Sequence, residues 1–164
     1  MNKALFLDRD GVINRNFGHV YKINKVVFLK GIFDFASHFF NKGYIIFIIT
    51  NQAGISKGLY SLKDFYIISN YITAKFKEKG IIITETFFCP HRLEDNCNCR
   101  KPKPGLLLNA INKYNIDPNQ SFMVGDKITD YDACKNANLK NCIIKEKNFT
   151  LEKLLLQLNK TKTI

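Results

Sequence analysis

Apolar residues recur along the chain with two periods. Short continuous runs at Ala4–Leu7, Tyr44–Ile49, Ile81–Phe88, Ser121–Val124 and Cys142–Lys145 predict buried strands. Between them, helical spacing covers 33–42, 61–79, 105–114, 129–137 and 150–158. Gly43 and Gly80 follow the first two of these helices, where a left-handed turn needs glycine. Ser61-Leu62-Lys63-Asp64 resembles a capping box at the start of the second. Strand–helix alternation predicts an α/β fold: a Rossmann-like, doubly wound, mostly parallel sheet with helices on both faces. A single domain is expected over 1–158, followed by a basic, disordered tail at 159–164. There is no internal repeat or linker.

Three of the predicted strands end in polar groups: Asp8 and Asp10 after the first, Thr50 and Asn51 after the second, Asp126 after the fourth. Open α/β sheets bind ligands at the carboxyl ends of their strands. Carboxylates at the end of a buried strand are costly unless something cationic compensates them. Asp8 and Asp10, with Gly11 to turn the chain, therefore suggest a place for a hard cation and a phosphate.

Composition narrows the setting. At 46% hydrophobic and 24% charged residues, the chain is an ordinary globular one. No apolar run reaches membrane-spanning length, and the start lacks the pattern of a signal peptide. A cytoplasmic protein with no membrane partner is expected. The net charge of +11 is spread over lysines from Lys3 to Lys162 without a dense block. That pattern suits a phosphorylated small molecule and predicts no nucleic-acid partner. Nothing suggests an interaction helix, so a monomer is expected.

Five cysteines, an odd number, argue against a disulfide framework. Three of them, with a histidine, spell C-x-H-x5-C-x-C: Cys89, His91, Cys97 and Cys99. Three thiolates and an imidazole suit tetrahedral Zn²⁺ with a closed shell, which predicts a structural zinc-binding loop. The loop lies directly before Arg100 and Lys101 and would rigidify both. Cys134 and Cys142 read as small buried hydrophobes.

D-R-D-G-V-I-N after one strand, T-N-Q after a second, R-K-P-K-P-G before a helix and V-G-D-x-x-x-D after a later strand form a joint pattern. On these motifs, from Lys3 to about Leu155, the chain resembles the haloacid dehalogenase superfamily of phosphohydrolases. Within it, the chain looks like the heptose bisphosphate and histidinol phosphate phosphatases, which share the zinc loop. The resemblance implies Asp8 as a nucleophile forming an aspartyl-phosphate, and Asp10 as acid and then base. It implies Mg²⁺ held by Asp8, the Asp10 carbonyl and Asp126. Thr50 and Asn51 would hold phosphate oxygens and Lys101 would oppose the developing charge. Asp130 would support the metal or Lys101 from behind.

Many superfamily members insert a cap domain, but Asn14–Lys25 and Asn51–Ser61 leave no room for one. Substrate selection then falls to Asn16, Phe17, Gly18 and His19, to Gln52 and Ala53, and to Arg100 and Lys127. His19 could equally bond within its own loop. On G-H-V-Y-K-I, N-Q-A-G-I-S-K-G, C-R-K-P-K-P-G and M-V-G-D-K the chain looks most like the D-glycero-D-manno-heptose 1,7-bisphosphate 7-phosphatases, which serve lipopolysaccharide and surface-glycan synthesis. Histidinol phosphate is the alternative substrate, though its cationic amine matches a basic protein poorly. A phosphotransferase, a DNA-end phosphatase and a non-catalytic binding module are the other classes consistent with parts of the pattern.

Overall fold

The computed structural model describes residues 1–145 and 150–160. Five strands alternate with five α-helices: β1 (Ala4–Leu7), α1 (Ile32–Asn41), β2 (Ile45–Asn51), α2 (Leu62–Lys77), β3 (Ile83–Cys89), α3 (Gly105–Tyr114), β4 (Phe122–Gly125), α4 (Ile128–Asn136), β5 (Asn141–Ile144) and α5 (Leu151–Lys160). All strand pairs are parallel, in the order β3-β2-β1-β4-β5. The chain thus builds outward from β1 in one direction and then in the other. That reversal opens a crevice beyond the carboxyl ends of β1 and β4.

Strand alternation divides the core into two layers. Leu5, Leu7, Ile46 and Ile48 face the layer shared with α1, α2 and α5. Ala4, Phe6, Phe47 and Ile49 face the layer under α3 and α4. Both faces of the sheet are therefore covered, as continuous apolar strand runs require. Phe39 of α1 sits in the first layer, fully buried, with ring centroids 5.1 Å from Phe35, 5.0 Å from Tyr44 and 5.2 Å from Phe122.

The capping box at α2 is present: Asp64 N donates to Ser61 Oγ at 3.1 Å and Ser61 N donates to Asp64 Oδ2 at 2.8 Å. No inserted domain separates β1 from α1 or β2 from α2; only a single 3₁₀ turn, Ile23–Lys25, interrupts the first connection.

Three expectations are corrected. First, β2 and β3 run further than their apolar stretches, with Thr50 paired to Phe88 and Asn51 to Cys89. Ladder hydrogen bonds carry both strands into their polar ends. Second, α5 reaches Lys160, held by Leu151, Leu154 and Leu158 against the core, so Asn159 and Lys160 are helical. The rest of the expected tail, 161–164, lies outside the described residues. Third, Cys134 and Cys142 form a disulfide. Packing of α4 on β5 brings their Cα atoms to 5.8 Å, within bonding reach.

Truncating Phe39 to alanine removes its ring contacts with Phe35, His38, Tyr44 and Phe122 at once. Phe39→Ala is expected to lower unfolding free energy by about 3–5 kcal/mol in urea denaturation.

Candidate active site

The crevice is organised around one buried ammonium. Lys101 Nζ lies 2.6 Å from Asp8 Oδ1 and 2.5 Å from Asp130 Oδ1, and it donates to the Ile49 carbonyl at 2.9 Å. All three residues are nearly inaccessible, at 4%, 5% and 2% exposure for Lys101, Asp8 and Asp130. Asp8 follows β1, and its N–H donates to Val124 O of β4. Asp130 stands in the first turn of α4, where its Oδ2 accepts from the N–H groups of Asp126 and Lys127, each at 3.1 Å. Lys101 reaches in from the long β3–α3 connection. Asn51, the last residue of β2, holds the Lys101 backbone: its Nδ2 donates to Lys101 O and its Oδ1 accepts from Lys101 N, both at 3.1 Å.

Asp10 has a separate cradle. Its Oδ2 accepts from Arg9 Nη2 at 2.7 Å, Arg9 Nε at 3.0 Å and Gln52 Nε2 at 3.1 Å. Its Oδ1 accepts from Asn14 Nδ2 at 2.9 Å. Arg9 is buried and braced by the Val20 carbonyl. Neither Arg9 nor Asn14 is assigned a role on sequence grounds, although both lie inside the D-R-D-G-V-I-N motif. Their positions beside Asp10 were the available signal. Tyr60, which donates to Gln52, has no sequence signal.

A cavity of about 490 Å³ opens onto these groups. Asp8, Asp10, Thr50, Asn51, Ala53, Arg100, Lys101 and Lys127 line it, with Asn16, Gly18 and His19 at one side. Lys57, Leu93 and Thr129 also line it and were not anticipated. Two expected substrate contacts are placed elsewhere. Gln52 is buried, with its amide committed to Asp10, Thr50 and Tyr60. Phe17 is exposed and borders a neighbouring depression with Tyr21 and Lys22. His19 borders both cavities, and its ring sits 6.1 Å from that of Tyr60.

Beside the cavity, Cys89, His91, Cys97 and Cys99 bring four donor atoms within 4.8 Å of one another. Cys99 Sγ lies 3.1 Å from Cys89 Sγ and 3.2 Å from His91 Nδ1. Cys89 closes β3, so its place is set by the sheet. A sulfur-rich, closed donor set of this kind fits Zn²⁺. Arg100 follows directly, and its Nη1 donates to His91 O at 3.3 Å. Arg92 ties the loop to the other wall of the cavity through Ser56 O.

Oxygen donors converge at the strand ends. Carboxylate oxygens of Asp8, Asp126 and Asp130 lie within 4.8 Å of one another. Asp126 Oδ1 is buried without a hydrogen-bond partner among the described residues. Gly11, at φ 107°, passes so close that a β-carbon there would collide with the Asp126 carboxylate. An unsatisfied buried carboxylate oxygen in an all-oxygen set fits a hard cation such as Mg²⁺.

Electrostatics agree with that deficit of positive charge. Burial raises the Asp8 pKa from 3.8 to about 7; Lys101 opposes the shift and Asp130 adds to it. Burial also raises Asp126, against the pull of Lys127. For Lys101, burial acts downward, but Asp8 and Asp130 outweigh it and the net shift is upward. A carboxyl whose folded pKa exceeds its unfolded value contributes stability that is complete below the unfolded pKa and is lost as pH rises through the folded one. Metal-free protein is therefore expected to melt at lower temperature at pH 8 than at pH 5. Asp8→Asn, melted alongside in chelator, is expected to show a smaller drop.

A profile of the HAD-hydrolase-like family matches residues 98–162. A D-glycero-beta-D-manno-heptose-1,7-bisphosphate 7-phosphatase of Helicobacter pylori is 47% identical over 144 residues, spanning 87% of this chain and 83% of the relative. A D-glycero-alpha-D-manno-heptose-1,7-bisphosphate 7-phosphatase of Campylobacter jejuni is 42% identical over 142 residues, spanning 87% and 81%. Among solved structures, the D,D-heptose 1,7-bisphosphate phosphatase of B. bronchiseptica, complexed with magnesium and phosphate, superposes with a TM-score of 0.80 at 27% identity, covering 94% of this chain and 86% of that one. Relatives this similar, aligned over most of both chains, show that the chain belongs to the haloacid dehalogenase-like family of heptose-bisphosphate phosphatases and is a phosphatase.

Proposed function

We propose that this phosphatase removes the 7-phosphate of D-glycero-D-manno-heptose 1,7-bisphosphate, with Mg²⁺, through an aspartyl-phosphate on Asp8. The reaction would serve synthesis of nucleotide-activated heptose for lipopolysaccharide or other surface glycans in the cytoplasm. The observation that carries the substrate is the near full-length similarity to relatives of that name. The cavity's lining supports it: Arg100, Lys127 and Lys57 are among the residues around a space of about 490 Å³, and they supply positive charge for a second phosphate. These relatives do not favour the histidinol phosphate alternative.

Asp8 Oδ attacks phosphorus as the bond from phosphorus to the sugar oxygen breaks. Asp10 gives its proton to that leaving oxygen. It then takes a proton from the water that attacks the aspartyl-phosphate, releasing orthophosphate and restoring Asp8. The Thr50 hydroxyl and Asn51 N–H would hold the transferring oxygens, and the Lys101 ammonium would oppose charge in flight. Asp8, the Asp10 carbonyl and Asp126 would hold Mg²⁺, which lets an anionic nucleophile approach a phosphate dianion. Asn16, Gly18, His19 and Ala53 would border the sugar, with Arg100 and Lys127 toward its other phosphate. Phe17 and Gln52 have no substrate contact in this reading. The small-molecule substrate needs no partner protein, nucleic acid or membrane, and the working form is a monomer.

Cys89, His91, Cys97 and Cys99 would hold a structural Zn²⁺. Its role would be to stiffen the segment that presents Arg100 and Lys101, so that ordering it costs nothing when substrate arrives.

Orthophosphate release with Mg²⁺ tests the main reading on both heptose bisphosphate anomers and on histidinol phosphate. A heptose bisphosphate is expected to have the highest kcat/KM, with heptose 1-phosphate as product, and Asp8→Asn to lower it at least about 1,000-fold. Preference for histidinol phosphate would refute the substrate, and an active Asp8→Asn would refute the nucleophile.

Elemental analysis tests the loop. Protein made with zinc present is expected to hold one zinc per chain. Cys97→Ser is expected to lose that zinc and melt at a lower temperature. Unchanged zinc content and melting would remove the structural role.

A further inference from the structure

Tyr60 does not line the catalytic cavity, yet two hydrogen bonds connect its hydroxyl to Asp10. Tyr60 OH lies 2.5 Å from Gln52 Oε1, and Gln52 Nε2 lies 3.1 Å from Asp10 Oδ2 and 2.8 Å from Thr50 Oγ1. Asp10 fixes the direction of this chain. Arg9 can only donate, and its Nε and Nη2 both point at Asp10 Oδ2, so that oxygen is an acceptor and the amide nitrogen must face it. The amide oxygen must then face Tyr60, and the phenol must donate. Among the described residues, Tyr60 is the one donor to that oxygen, and both side chains are buried, at 7% and 3% exposure.

The fold also fixes the phenol. Its ring stacks on Tyr21, with centroids 5.3 Å apart and planes 8° apart. Gly54 passes beneath it, and a β-carbon there would overlap the ring. Burial pushes the Tyr60 hydroxyl up to about 12, with Arg9 opposing the shift, so the group keeps its proton at neutral pH.

We propose that Tyr60 is a positioning residue that acts through Gln52 to aim the Asp10 carboxyl at the leaving oxygen. The inference rests on the reading of Asp10 as the acid. Without the hydroxyl, a buried amide oxygen loses its partner. The amide can then turn its oxygen toward Asp10 Oδ2, where two acceptors repel. Arg9 and Asn14 would still grip Asp10, but the contact on the side of Thr50 would be lost.

Leaving-group dependence tests this in a way that a general structural role would not imitate. The leaving group of 4-nitrophenyl phosphate departs without a proton, whereas a sugar alkoxide needs one. The quantity kcat/KM reports steps up to the first irreversible one, here transfer to Asp8. Tyr60→Phe is expected to lower kcat/KM for heptose bisphosphate about tenfold and that for 4-nitrophenyl phosphate less than about twofold. An equal fall on both substrates, or none on the sugar, would overturn the proposal. Gln52→Leu should show the same selectivity, and Tyr60→Phe should add little in the Gln52→Leu background. A full, separate loss there would also overturn it. If Tyr60→Phe does not fold, Gln52→Leu alone carries the comparison.

Asp10→Asn separates this inference from the reading beneath it. Selective loss on the sugar in Asp10→Asn but not in Tyr60→Phe would reject Tyr60 and keep the acid. Equal loss on both substrates in Asp10→Asn would reject Asp10 as the acid, and the Tyr60 proposal with it.

Discussion

One buried charge sets the terms for this structure. The Lys101 ammonium has left water and is held by two carboxylates and a carbonyl drawn from β1, α4 and β2. A charge so placed must be paired, and breaking a buried pair by removing one partner costs several kcal/mol. The ends of three elements and the β3–α3 connection must therefore meet at one point. The chain allows that meeting by being small where they approach. At Gly105 a β-carbon would strike the Asn98 carbonyl, and at Gly125 it would strike the Asp130 side chain.

Around that point the site has two tiers. Asp8, Asp10, Thr50, Asn51 and Lys101 line the cavity. Behind them Arg9, Asn14 and Gln52 spend their polar groups on orienting Asp10, and Asp130, at the cavity's border, pairs with Lys101. Polar networks of this kind are favourable only when nearly every member is satisfied. The exceptions among the described residues are informative. Asp126 Oδ1 is unpaired where a cation fits, and Arg9 Nη1 and Asn14 Oδ1 are unpaired in the packed wall behind Asp10.

Much of the front tier was legible in the residue order. Strand ends can be read from where apolar runs stop, and Asp8, Asp10, Thr50, Asn51 and Asp126 all stand at such stops. The cysteine loop was legible because its sulfur and imidazole donors are close in sequence and chemically distinctive. The back tier was not. Gln52 belongs to the same T-N-Q motif as Thr50 and Asn51, yet it turns inward. That orientation depends on Tyr60, eight residues further on, and on Asp10, 42 residues earlier. Residue order also could not reveal the Cys134–Cys142 bond, because it depends on how a helix lies across a neighbouring strand. Ends of elements were misjudged for a related reason: ladder bonds and packing extend β2, β3 and α5 past their apolar stretches.

Cys89 closes the edge strand β3, and Asp8 and Asp126 follow the central strands β1 and β4, so the sulfur-and-imidazole cluster and the carboxylate cluster lie at the same, carboxyl end of the sheet with β2 between them. They share no donor atom: one is three cysteines and a histidine, the other three aspartates. Thiolates and imidazole select soft or borderline ions such as Zn²⁺, whereas carboxylates suit hard ions such as Mg²⁺. The ends of the strands thus present two donor sets that sort by chemistry: soft and borderline donors in the loop suit a thiophilic ion, and oxygens at the strand ends suit a hard one.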